Sequence, residues 1–574
     1  MADDIKDTGN ADIIPLSRFR AQLARARTKS LAQTLLDRPD VARYVPTMPV
    51  QELFYAIKEV GLHDASELVH LATPAQVQGC LDLDAWQKDE FLADRAMPWL
   101  EVLIDAGPAK LARAIDGLDP EVIALYLQRH ARVYDLHLDQ PPEEAEGHYY
   151  PTPDGFFLLD VLDAREGGHG KHVERFVDWL YRADMEIARR VIMSAKWELA
   201  TDLSEHAYRF RAGRMADLGY VDYFEALEVY RYLDPMTVRV GEGSVTPPVV
   251  EGGLPSELSA AIDPASLLAK ALERIVDPDE LDRFSSSLLQ LVNRVMSADL
   301  VEPGDVEAAQ AALRRTASYL GLALEFLGRS DLGRTIEALR TVSPTRLFRL
   351  GFSLTAKLKK AADTLLAHAW LSPSPSGAAS PPGAAGASLL DPPHADVVHA
   401  LRKARPMFPR ALEGKDGERP FETLGEIAQA ARSLEEAAQI GDFVRRGLGV
   451  DPRLLSEENL DACVPGPDTI TFQVIIATLA ANLLLERPPS LVALAPADLP
   501  PLRERALEDG KLRPSAKLAI QRGFATKMEE REYAAPPVWE QVEEAALRHL
   551  EEGLLLSAKK PEACGLLLRV DLRN

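Results

Sequence analysis

Cysteine is nearly missing from this chain: Cys80, Cys463 and Cys564 are the only three in 574 residues, and no two form a CxxC pair. That excludes a disulfide framework and a cysteine-built zinc site, and a reducing cytoplasm is the compartment expected. Basic charge is also short. Lys and Arg number 65 against 88 Asp and Glu, a net charge of -23, which repels phosphate backbones and anionic lipid, so nucleic acid is not expected as a partner. Long apolar runs are absent. The longest, residues 470–485 (ITFQVIIATLAANLLL), contains Gln473 and Asn482 and falls short of the ~20 mostly apolar residues a bilayer needs; a buried core helix is expected there and no membrane span. The first 16 residues carry four aspartates and no apolar core, so they do not read as a secretory signal. No HExxH, GxSxG or phosphate loop occurs. Gly170-Lys171 comes nearest to the last of these, but Arg165 stands where the first glycine belongs and His172 replaces the Ser or Thr.

What is present is helical periodicity. At 46% hydrophobic and 27% charged residues the composition is that of an ordinary globular protein, and at this length more than one core is expected. Val173, Phe176, Val177, Leu180, Ile187, Ala188, Val191, Ile192 and Ala195 recur at three- and four-residue spacing, predicting one helix over about 171–199. A capping or small residue followed by Pro recurs as Thr73-Pro74, Gly107-Pro108 and Asp119-Pro120, with looser echoes at Asp263-Pro264, Asp277-Pro278 and Ser343-Pro344. Proline at the first helical position loses no hydrogen bond, so each phrase predicts a helix start. The fold class expected is mainly α, a superhelical, repeat-like array of helix pairs.

One β insertion interrupts it. Around 133–162, Thr152-Pro153-Asp154-Gly155 has tight-turn residues between two aromatic and aliphatic runs and predicts a small β-hairpin. The glycine- and proline-rich stretch 240–255 and the low-complexity stretch 372–393 read as boundaries, the second as a mobile linker cut first by protease. The domains expected are 16–238, 256–371 and 394–574. Residues 553–572 are read as a strand pair, with a winged-helix end conceivable. Residues 16–35, with Arg18, Arg20, Arg25, Arg27 and Lys29 and no acid, are read as a first scaffold helix, or else a basic partner helix.

The aromatics concentrate in one place. Seven lie between Tyr208 and Tyr232 in a chain only 6% aromatic. Interleaved with them are Arg209, Arg211, Arg214, Asp217, Asp222, Glu225, Glu228 and Arg231. Gly219 is placed to end one helix, Asp222 with Glu225 to form a capping box for the next, and Glu205–Arg209 and Arg214–Asp217 to pair along the first. Most of these groups serve to knit a helix corner together. Arg209, Arg211, Arg214, Asp217, Tyr220, Asp222, Tyr223, Glu225 and Glu228 are the candidate binding residues, because interfaces favour Tyr and Arg. Arg214 is read as structural and Arg211 as exposed. His148, His169 and His172 lie among acidic residues but lack metal-ligand spacing, so no metal or cofactor is expected.

The wording of 205–235 resembles the signature of an uncharacterised bacterial protein family, R-x-R-x-x-R-L-A-D-L-G-F-x-D-Y-x-E-A-L-E-V-Y, with Met215 in place of Leu and Tyr220 in place of Phe. The phrase TPDGFFLL at 152–159 is similar to that family's as well. The resemblance covers about the first 240 residues and implies no activity. A looser, architectural likeness links 49–136 to the superhelical cytoplasmic domain of MgtE-type magnesium transporters and to armadillo-like modules of flagellar switch proteins; without a membrane domain it carries no function.

The reading that follows is a non-enzymatic cytoplasmic helical scaffold that binds another protein. Its rivals are a regulatory or sensory domain responding to a divalent cation or an anionic ligand, and an enzyme of unrecognised type with corner arginines holding an anionic substrate. Oligomeric state stays open.

Overall fold

A computed structural model describes residues 31–140, 148–162, 170–241, 252–368, 389–451, 463–465, 470–487, 491–559 and 567–570. Most of the basic stretch 16–35, His169, the middle of 240–255 and most of 372–393 lie outside the described residues. The fold is mainly α: among the described residues 24 helices carry it, and strands form only sheets of two or three. The chain divides into two compact units, residues 1–351 and 352–574.

In the first unit the proline phrases start helices. Before helix Pro74–Asp84, Thr73 and Gln76 form a reciprocal capping box, and the Gln76 amide also donates to the carbonyls of Val45 and Met48 at 2.8 Å each, tying this helix to the preceding turn. Helices Pro108–Ile115, Pro120–His130, Pro278–Ala298 and Pro344–His368 begin likewise at proline. Asp263-Pro264 does not start a helix; Ser266 caps Leu267–Leu272 instead. The stripe over 171–199 is two helices, Gly170–Ala183 and Met185–Trp197. Asp184 breaks it by accepting from the amides of Glu186 and Ile187, a cap stronger than helix continuation. Helix Pro120–His130 packs on Met185–Trp197 and on Ala200–Asp217. The core is aromatic at its joints, with Phe54 stacked on Trp99 and Tyr126 edge-on to Phe176.

The expected hairpin is a three-stranded antiparallel sheet. Phe157–Val161 lies between Ala131–Asp135 and His148–Pro151. The turn forms where its residues put it: Gly155 has φ +72, its amide donates to the Thr152 carbonyl at 2.9 Å, and the Asp154 carboxylate accepts from Thr152 and from Arg189.

In the second unit, helix Phe472–Leu484 is buried along most of its length and packs on Pro514–Glu530 and Trp539–Lys559. It is the core helix expected from its apolar run, and Asn482 is accommodated by donating to the Val492 carbonyl at 2.9 Å. No helix among the described residues is long and apolar enough to cross a membrane. The C-terminal strand pair is not formed as expected. Gly553, Leu554, Leu555 and Leu556 continue helix Trp539–Lys559, and strand Arg569–Val570 pairs with Cys463–Val464.

Candidate functional site

Helix Ala200–Asp217 ends at Gly219, helix Tyr223–Ala226 follows, and a 3₁₀ turn over Leu227–Tyr230 completes the corner. Tyr220 N–H donates to the Met215 carbonyl and Gly219 N–H to that of Ala216, both at 2.9 Å, a Schellman closure. Glycine is required twice over at 219. Its φ is +88, and a Cβ would stand 3.1 Å from the Gln290 Cα.

Arg214 is the centre of the inner face. Its guanidinium grips two carboxylates at once: Nε and Nη2 donate to Asp82 at 2.5 and 3.0 Å, and Nη1 and Nη2 to Asp119 at 3.2 and 2.7 Å. The Asp82 side chain is only 1% exposed. These partners replace the expected Asp217, and they raise the proton affinity of Arg214 against the opposing effect of burial. Asp119 therefore does not cap its own helix. Gln78 binds both acids, donating to Asp82 Oδ1 and accepting from the Asp119 amide, each at 2.9 Å.

Arg211, expected to be exposed, is half-buried. It lies over the Trp86 ring at 5.1 Å, and its guanidinium donates to the carbonyls of Asp82 at 2.9 Å and Lys88 at 3.3 Å. Burial lowers its proton affinity, and the Asp82 charge opposes that. Two arginines thus face two aspartates, with no net charge left over. Arg211→Ala is expected to cost about 1.5–3 kcal/mol, the range for hydrogen bonds from a charged donor; a urea midpoint equal to wild type would refute this structural role.

Tyr220 is buried too. Its hydroxyl accepts from Gln51 at 3.3 Å; Asn293 donates to Gln51 at 3.2 Å and to the Leu218 carbonyl at 2.6 Å. Burial raises the Tyr220 phenol above its ordinary range. The remaining candidates face outward. Arg209 pairs with Glu205 at 2.6 Å, as its spacing predicts. Asp217 is exposed. Asp222 caps through the Phe224 amide at 2.9 Å, but the capping box is half-formed, because Glu225 turns to Arg294 at 2.6 Å. Glu228 meets Arg231 at 3.4 Å.

The candidates therefore divide between an inner, self-satisfied network and an outer surface. On the outer surface, residues outside the candidate set stand out. Phe224 is 78% exposed, Met236 71% and Tyr232 53%, with Tyr223 edge-on to Phe224. Ala226, Val229, Tyr230 and Pro235 beneath them are buried. The signal available in the sequence was register: Phe224 and Tyr232 fall off the stripe set by 226, 229 and 230.

The match to known families spans residues 10–564 and is to a family of unknown function. The chain belongs to the DUF6178 family. No curated protein and no solved structure matches it. Membership brings no reaction with it, so any role for the corner rests on its own geometry. Of the two described candidate histidines, His148 contacts Glu174 while His172 lies 3.7 Å from Glu101. Among the described residues no group of three or more His, Cys, Asp and Glu is placed to hold a metal ion.

Proposed function

We propose that the protein is a non-enzymatic helical-repeat scaffold of the cytoplasm that captures another protein on the outer face of this corner. The observation that carries the reading is the pairing of exposed anchors with a fixed base. Phe224, Tyr232 and Met236 hold their apolar surface in water, and the segment bearing them is pinned by Glu225–Arg294 and by Tyr230, whose hydroxyl donates to Asp299 at 2.8 Å. A backbone segment already fixed before binding loses less entropy on contact, and large aromatic and Met side chains are those interfaces enrich. The inner arginines spend their donors on Asp82 and Asp119 and on backbone carbonyls, which weighs against a pocket for an anionic substrate. The free thiol of buried Cys80 suits a reducing compartment.

The test separates binding from folding. Phe224→Ala with Tyr232→Ala is expected to leave the melting curve within ~0.5 kcal/mol of wild type and to weaken capture of a native-lysate partner by roughly 30-fold or more, about 2 kcal/mol. Recovery of the same partners at the same yield would sink the reading.

A further inference from the structure

The second unit contains a recess of about 190 Å³ between residues 390–394, the end of helix Leu424–Asp442, the start of Phe472–Leu484 and the start of Trp539–Lys559. That is roughly six water volumes and below the usual size of drug pockets, so any occupant is compact. Ile440, Phe472, Val538 and Val542 make its walls apolar. Asp391 and His394 are its ionisable groups.

The position of Asp391 follows from the helix it serves. The first amides of Phe472–Leu484 have no partner within the helix. Leu389 O takes Phe472 N–H at 2.8 Å, Asp391 Oδ2 takes Gln473 N–H at 2.9 Å, and Thr471 Oγ1 takes that of Val474. Capping thus draws a carboxylate into an apolar recess. Among the described residues no Lys or Arg pairs with it; its help is the Gln473 amide and the Thr471 hydroxyl, and burial raises its pKa to about 6. His394 does not supply the charge. It sits 3.3 Å from Glu436, and burial depresses its proton affinity. Among the described residues the recess therefore holds, at neutral pH, a carboxylate without a counter-ion, inside walls that strengthen any ion pair formed there.

We propose that this recess binds a compact organic ammonium, with Asp391 as its counter-ion and Ile440, Phe472, Val538 and Val542 around its apolar body. An organic anion meets repulsion from Asp391, and a divalent ion finds too few ligands, since no group of three donors for a metal occurs among the described residues.

The probe is butylammonium, titrated into the full-length protein and followed by calorimetry, with butanol and butyrate as partners of matching shape. Butylammonium is expected to bind with Kd below about 10 mM, the scale open to so few atoms, and at least tenfold tighter than either control. Asp391→Asn is expected to weaken it at least tenfold. Lowering the pH to about 5 protonates Asp391 and should do the same to wild type. Val542→Met, which fills the recess without touching the carboxylate, should also abolish binding, so that a helix-capping defect in Asp391→Asn cannot explain both losses. Equal binding of butanol and butylammonium, no effect of either substitution, or no binding at about 10 mM overturns the proposal.

Discussion

Truncating Arg214 to alanine is expected to lower the stability of the first unit by about 3–5 kcal/mol, the cost of leaving a buried charge without its partner. The size comes from what stays behind. Asp82 is 1% exposed and would keep a hydrogen bond from Gln78 but lose both guanidinium contacts, and Asp119 would lose its two. Arg211 is not placed to take over without giving up its own contacts, because its Nε and Nη1 already donate to the carbonyls of Asp82 and Lys88. Arg214→Lys is expected to recover part of the loss only, since one ammonium has no fork with which to hold two carboxylates side by side. Arg209→Ala is the control. Its partnership with Glu205 is solvent-exposed on both sides and is expected to be worth no more than ~0.5 kcal/mol. Urea unfolding followed by tryptophan fluorescence reads all three, because Trp86 and Trp99 report on this region. A midpoint for Arg214→Ala that matches Arg209→Ala would show that the triad contributes nothing net.

The contrast between these two arginines shows what local reading of the chain captures. Glu205–Arg209 was legible because both partners lie on one helix, four residues apart. Asp82 lies 132 residues before Arg214, and Asp217, three residues away, was the partner that spacing alone suggests. The same limit applies to Asp119. Its place before Pro120 marks a helix start correctly, while its carboxylate is drawn off by an arginine that no local pattern reveals. Helix starts, the Thr152–Gly155 turn and the buried apolar helix near 472–484 were legible because each depends on neighbours in sequence. The break at Asp184 was hidden by the continuity of the stripe, since both helices bury the same side. The run at 553–556 was misread although Leu550 and Leu554, both fully buried, already have helical spacing. The strand Arg569–Val570 finds its partner at Cys463–Val464, far upstream. At the corner, the concentration of Tyr, Phe and Arg located the region, but which residues face inward was decided by contacts with 51, 82, 86 and 119.

Glu257 makes a second large effect, and its sign is unusual. Residues 254–259 are buried, held by the Leu254 amide donating to Ser285 Oγ at 2.9 Å and by Gln310 donating to the Glu257 carbonyl at 3.2 Å. The Glu257 side chain points into this packing with neither carboxyl oxygen hydrogen-bonded to any described residue. The helix Val50–Val60 packed against it carries Glu52 and Glu59, which repel a charge on Glu257, and Lys58, which is committed to Asp84 at 2.9 Å. On Val306–Gly328, Glu307 and Arg314 flank Gln310 by about one turn in sequence. Burial pushes the Glu257 carboxyl from the ordinary 4.5 up to about 8, against the pull of its own backbone amide and with Glu59 and Glu52 adding to the rise. Between those two values the folded chain holds a proton that the unfolded chain has released. Stability from this group is therefore complete below about pH 4.5 and is lost as pH rises through about 8, by roughly 5 kcal/mol at ~1.4 kcal/mol for each pH unit. Glu257→Gln removes the titration while keeping the shape. It is expected to match wild type below about pH 4.5 and to exceed it by about 5 kcal/mol above about pH 8.5, with wild-type amides at 254–259 exchanging faster there than in the variant. Denaturation curves for both proteins at acidic, neutral and alkaline pH decide it: a constant difference between them across that range would mean that Glu257 is not the group losing its proton.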